Sequence, residues 1–234
     1  MRGKLIVFEG VEGGGKTTQL QLCSQWLQTS NLLPKLSTIK PQPSVVSTRE
    51  PGGTSLGLGL RQLLLEEVSR HKLNNPKSLP IQERAELLLY AADRAQHVEE
   101  FIKPLLAEGK IILCDRYTDS TVAYQGYGRG LDLSLIDQLN QIATGGLESD
   151  LTLWLDINVE IGLERAQKRG KVDRMEQASL EFHQRVEQGF RSLYQQNRHR
   201  IVRVDASASQ VQVHYAIQEI LRQHFKLWLH SLHS

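Results

Sequence analysis

Gly10, Val11, Glu12, Gly13, Gly14, Gly15, Lys16 and Thr17 fit the spacing G-x-x-x-x-G-K-[ST]. Each residue type has a task at a triphosphate. The glycines let the backbone curl until successive N–H groups point at phosphate oxygens. The positive end of the helix that follows adds to that field, and Thr18 extends the cradle into it. The Lys16 ammonium reaches the outer phosphates, and the Thr17 hydroxyl is a ligand for Mg²⁺. Because Leu5-Ile6-Val7-Phe8 reads as a buried strand feeding this loop, a chance glycine turn is the weaker reading. The spacing predicts that a nucleoside triphosphate binds here.

Three further stretches carry groups suited to the same chemistry. Asp115-Arg116-Tyr117 follows an apolar run, and Ser120, Thr121, Tyr124 and Gln125 come after it. A carboxylate at a strand end beside a P-loop is the usual second element of Mg²⁺ binding, and a guanidinium grips phosphate bidentately. The plainer alternative for Asp115 and Arg116 is a buried structural pair. The loop Thr48-Arg49-Glu50-Pro51-Gly52-Gly53-Thr54 also follows a strand, the place where open α/β sheets bind ligands. Residues 165–176 gather Arg165, Lys168, Arg169, Lys171 and Arg174 around Gly170. Such a run is either a solvated helix–loop–helix or a basic flap that closes over a triphosphate.

The elements that must position these groups alternate along the chain. Strands are expected at 4–9, 45–48, 111–114, 151–156 and 201–205. Helices are expected near 16–28, 55–70, 81–106, 133–143, 159–169, 180–197 and 209–229. Short, fully apolar runs such as Ile111-Ile112-Leu113-Cys114 suit parallel strands covered on both faces. The sum is one doubly wound α/β domain spanning 1–234, with five parallel strands flanked by helices. The proline-bearing stretch near 31–44 and residues 71–80 read as exposed loops. The tail from His224 reads as a helix end packing on the body rather than a metal site.

Composition narrows the classes. With 234 residues and a net charge of +2, there is no general electrostatic case for nucleic acid. Cys23 and Cys114 stand far apart in apolar segments, as expected of buried, reduced thiols. The first strand begins at once, so no signal peptide is expected. No apolar run approaches the ~18 residues that cross a bilayer. A cytoplasmic protein without membrane or nucleic-acid partners is the expectation.

Read together, FEGVEGGGKTT (8–18), TREPGGT (48–54), LLLYAADRAQHV (87–98), DRYTDSTVAYQGYGRG (115–130) and RGKVDRMEQ (169–177) make the chain resemble thymidylate kinases from Lys4 to about Ile220. The resemblance implies the P-loop nucleoside monophosphate kinase fold, transfer from Mg-ATP to dTMP in dTTP biosynthesis, and a homodimer. It implies that Glu12 approaches the dTMP sugar and phosphate, and that Tyr90 stacks on thymine where many relatives carry Phe. Arg94, one helical turn on, is expected to donate to a thymine carbonyl. Arg61 and Arg116 are expected to face the dTMP phosphate, with Glu50 and Pro51 beside it. Thr121 and Gln125 line the base pocket, and Tyr124 crowds the 2′ position. The P-loop carries no arginine, so the chain resembles the bacterial type that places it in the lid. Arg169 is the first choice there and Arg174 the rival. Catalysis is expected of Lys16, Asp115, Arg116 and these two, with Mg²⁺ held through Thr17 and Asp115.

Two other classes fit the sequence less well. A sister kinase for another metabolite would lack the joint set Tyr90, Arg94, Thr121, Tyr124 and Gln125. A GTPase-type switch would want N-K-x-D, a tetrapeptide absent from the sequence.

Overall fold

A computed structural model of the chain describes residues 2–30, 32, 45–65, 81–170 and 174–230. The expected insertion near 31–44, the loop at 71–80, the end of the second helix and the middle of the lid fall wholly or mainly outside them.

Five parallel strands, β1 (Lys4–Glu9), β2 (Val45–Arg49), β3 (Ile111–Asp115), β4 (Leu151–Asp156) and β5 (Ile201–Asp205), form one sheet in the order β2-β3-β1-β4-β5. The α/β fold class and all five strands agree with the sequence reading. Burial explains the order. The three inner strands are buried on both faces almost throughout, while the edge strands β2 and β5 alternate buried and exposed positions. Along β1, Ile6 and Phe8 enter the larger core, whereas Leu5 and Val7 pack on the other face against Val98, Ile102 and Leu106.

Nine α-helical segments are described: α1 (Lys16–Thr29), α2 (Ser55–Leu65), α3 (Glu83–His97), α4 (Lys103–Ala107), α5 (Thr118–Thr121), α6 (Leu133–Thr144), α7 (Val159–Lys168), α8 (Leu180–Gln196) and α9 (Gln210–His230). The sequence pattern gave one helix over 81–106. The structure breaks it with a π-helical turn, Val98–Ile102, in which the Lys103 N–H reaches back to the Val98 carbonyl. Pro104 lies immediately beyond. A proline has no N–H to continue the ladder and its ring crowds the preceding turn, so the backbone widens there.

A second element was not expected. After α5 the chain continues as a π-helical segment, Val122–Gly128. Its two tyrosines and two glycines are weak helix formers, but the glycines permit close packing on α8. A Cβ at Gly128 would stand 2.7 Å from Phe182, and one at Gly189 would stand 3.0 Å from Ala123 and Tyr127. The tail packs as α9, with Phe225 fully buried and Trp228 edge-on to it.

Candidate active site

Strand register builds the site. Phe8 and Arg49 both pair with Asp115, so the P-loop, the 48–54 loop and the Asp115-Arg116-Tyr117 turn leave the same edge of the sheet. They border a cleft of about 1190 Å³ that is also lined by Tyr90 and Arg94 of α3 and by Arg169 and Arg174 of the basic run. Ordinary small-molecule pockets hold ~300–1,000 Å³, so this one has room for two nucleotides. Lys16 and six arginines line it against four carboxylates. The positive charge that net composition concealed is concentrated here.

The loop is shaped for anions. Gly13 has φ 68°, and a Cβ there would lie 1.8 Å from the Gly162 carbonyl oxygen, so no other residue fits. α6, α7 and α8 each begin with a side-chain cap, from Asp132, Asn158 and Ser179, while α1 begins at Gly15 with none. Lys16 is buried and donates to the carbonyls of Gly10 (3.0 Å) and Val11 (2.8 Å), curled over the loop where phosphates would lie. Burial, then the neighbouring Arg116, lowers its pKa. The Thr17 hydroxyl donates to Asp115 Oδ2 at 2.5 Å. This pair of hard oxygen ligands at the mouth of a phosphate cradle fits Mg²⁺.

Arg116 bridges the P-loop to the turn after β3. It donates to Glu12 Oε1 (2.5 Å), the Tyr124 hydroxyl (3.1 Å), the Ser120 hydroxyl (3.1 Å) and the Gly10 carbonyl (3.2 Å). Its guanidinium also lies over the Tyr124 ring at 4.8 Å. Burial raises the Glu12 pKa, but the charges of Arg116 and Lys16 outweigh it and hold the carboxyl at about 2. Glu9, at the end of β1, is pushed the other way to about 7 by burial and by Asp119.

α3 supplies a polar stripe. Glu86, Tyr90, Arg94 and His97 recur one helical turn apart. Arg94 is buried and donates to Glu50 (2.8 Å), Thr121 (2.9 Å), Asn140 (2.9 Å) and the Tyr117 carbonyl (2.9 Å). Those contacts use four of its five N–H donors. Glu50 is held on its other oxygen by His97 at 2.9 Å, and His97 in turn by Thr48 at 2.7 Å. Gln125 donates its amide to Glu86 Oε1 at 3.0 Å. Arg61 donates to the Pro51 carbonyl at 2.9 Å.

Tyr90, Arg94, Thr121, Tyr124 and Gln125 therefore border one cleft with Glu12, Thr17, Thr18, Glu50, Pro51, Arg61, Asp115 and Arg116. Gly10 and Val11 serve through their carbonyls, behind Lys16. The lid arginines differ. Arg169 pairs with Glu176 and is 60% exposed, whereas Arg174 is 20% exposed, pairs with Glu86 and donates to the Leu64 carbonyl at 2.9 Å. Arg165 turns away to the carbonyls of Ala206 (3.0 Å) and Ser207 (3.4 Å), which removes it from the lid set. Glu86, His97, Asn140 and Glu9 were missed by sequence reasoning. For the first two, polar residues at helical spacing on a face shared with Tyr90 were the available signal.

A family model described as thymidylate kinase matches residues 8–217. The thymidylate kinase of Nostoc punctiforme is 60% identical over 97% of this chain and 99% of its own length. That of Trichodesmium erythraeum is 58% identical over 97% and 99%. A crystal structure of thymidylate kinase from Ehrlichia chaffeensis superposes with a TM-score of 0.70 at 32% identity, covering 94% of this chain and all of that one.

Proposed function

The chain belongs to the thymidylate kinase family, and on that premise we propose that its cleft transfers the γ-phosphoryl group of ATP to the 5′-phosphate of dTMP. The dTDP formed feeds dTTP synthesis. The observation that carries the reading is Arg116, clasped by Glu12 of the P-loop and facing the same cleft as Lys16.

ATP phosphates lie against the N–H groups of residues 10–18, and Lys16 exchanges its two loop carbonyls for phosphate oxygens. Thr17 and Asp115 would hold Mg²⁺, which when bound neutralises phosphate charge. Arg116 and Arg61 grip the dTMP phosphate beside Glu50 and Pro51. An oxygen of that phosphate forms the new bond to the γ-phosphorus while the bond to the ADP oxygen breaks and ADP leaves with the electron pair. The acceptor is already an anion, so no general base is required. Positioning and charge neutralisation carry the rate.

Tyr90 stacks on thymine, and the remaining Arg94 N–H donates to a thymine carbonyl. With its amide nitrogen tied to Glu86, Gln125 presents an acceptor oxygen. Thr121 keeps Arg94 in place, and Tyr124 narrows the sugar site against a 2′-hydroxyl. Arg169, exposed at the lid, suits the transferring phosphate, whereas Arg174 is already tied to α2 and α3.

The whole chain is read as one domain, with a lid that carries Arg169 and Arg174. Exposed Leu56, Leu63, Leu88 and Ile142 on the neighbouring helices α2, α3 and α6 support a homodimer. Among the described residues no helix is long and apolar enough to cross a membrane. The buried free thiols Cys23 and Cys114 support a cytoplasmic site.

Incubation with dTMP and ATP labelled in the γ-phosphate tests the reading. Label is expected in the terminal phosphate of dTDP. Label found only in inorganic phosphate overturns it.

A further inference from the structure

Glu9 stands one residue before the P-loop with no exposed surface. The reaction described above gives it no contact with either nucleotide. Its carboxylate is nonetheless engaged on both oxygens. Oε1 accepts the backbone N–H groups of Tyr117 (2.8 Å) and Ser120 (3.1 Å), and Oε2 accepts the Ser120 hydroxyl (2.6 Å). All three donors belong to the turn that opens at Arg116.

That turn is strained. Arg116 has φ 72°, the one positive φ outside glycine among the described residues. Side chains rarely adopt this region, and they stay there only where the surroundings over-determine the backbone. The end of β1 does so from both sides, since the Arg116 N–H donates to the Phe8 carbonyl at 3.0 Å and the next N–H goes to Glu9.

The same carboxylate also orients Ser120, which shares the Arg116 guanidinium with Glu12, Tyr124 and the Gly10 carbonyl. An ionised glutamate only accepts, so Ser120 gives its single proton to Glu9 and turns a lone pair outward. Arg116 Nη1 donates to that oxygen at 3.1 Å. Asp119, the carboxylate within the same turn, is occupied by Arg200 at 2.7 and 2.8 Å and does not compete for these donors.

We propose that Glu9 is a positioning residue for Arg116, holding its backbone in the left-handed turn and, through the Ser120 hydroxyl, aiming its guanidinium at the acceptor phosphate. The inference rests on the reading of Arg116 as the residue that grips that phosphate.

A double-mutant cycle at pH 8 tests it, with KM for each nucleotide measured alongside kcat and thermal melting. Glu9→Ala is expected to lower kcat/KM for dTMP by about 10-fold to 100-fold while KM for ATP changes by less than about 3-fold. Glu9→Gln keeps the shape and two acceptor contacts, so it should recover most of that loss. Added to Arg116→Ala, Glu9→Ala should cost less than about 3-fold more, because the residue it positions is gone. If Glu9→Ala does not fold, Ser120→Ala takes its place in the cycle, with the same expectation of selectivity for dTMP. Multiplicative losses, or equal effects on both nucleotides, overturn the proposal. Unimpaired turnover in Arg116→Ala would instead remove the reading of Arg116 itself.

Discussion

The guanidinium of Arg116 and the carboxylate of Glu12 meet at 2.5 Å, joining the turn after β3 to the middle of the P-loop. Glu12 is held at about 2, well below the ordinary 4.5, because Arg116 and Lys16 outweigh its burial. A carboxyl depressed by folding contributes stability that is fully present above its unfolded value and is lost as pH falls through the folded one. In the ligand-free protein the melting temperature of wild type should exceed that of Glu12→Gln most clearly near pH 7. The gap should narrow steadily below about pH 4.5. A gap that stays constant down to about pH 3 contradicts the pairing.

Lys16 is buried against two loop carbonyls and lies where the phosphates of ATP are placed. Lys16→Ala should lower kcat on the order of 10²-fold or more, the usual loss when one preorganised donor to developing charge is removed. Circular dichroism should show a folded protein. Turnover near wild type with both nucleotides saturating removes Lys16 from the mechanism.

Tyr90 needs only its ring to stack on thymine. Tyr90→Phe should keep KM for dTMP within about 3-fold, and Tyr90→Ala should raise it about 10-fold to 100-fold, the range of one base–aromatic stack. KM for ATP serves as the internal control. Equal KM for dTMP in the alanine variant contradicts the stack.

The two lid arginines should separate by stability. Arg169 is largely exposed and, among the described residues, bonds no backbone of α2, so Arg169→Ala should depress kcat and lower the melting temperature less than Arg174→Ala does, its cost being the lost pairing with Glu176. Arg174 is anchored to Glu86 and Leu64, and its loss leaves a buried carboxylate with fewer partners. Arg174→Ala should lower both kcat and the melting temperature. The reverse pattern would exchange their roles.

The sheet was legible because its inner strands are short, largely apolar runs, and the P-loop because its spacing is dictated by phosphate geometry. The π-helical segment at Val122–Gly128 was not, since its two tyrosines and two glycines argue locally against a helix. Only packing on Phe182, Val186 and Gly189, some sixty residues away, gives it shape. The polar network was likewise hidden. Asn140 and Glu50 meet Arg94 across 46 and 44 residues of sequence, a distance that no local pattern encodes.

The thymine pocket is the central claim, and ADP release with Mg-ATP against dTMP, dUMP, dCMP, AMP and thymidine tests it most directly. The account predicts that kcat/KM is highest for dTMP, because Tyr90, Arg94 and Gln125 read the base and Arg116 needs a phosphate to hold. Thymidine, which offers no phosphate, should be inert. Preferred turnover of AMP or dCMP would contradict the account while leaving the kinase fold intact.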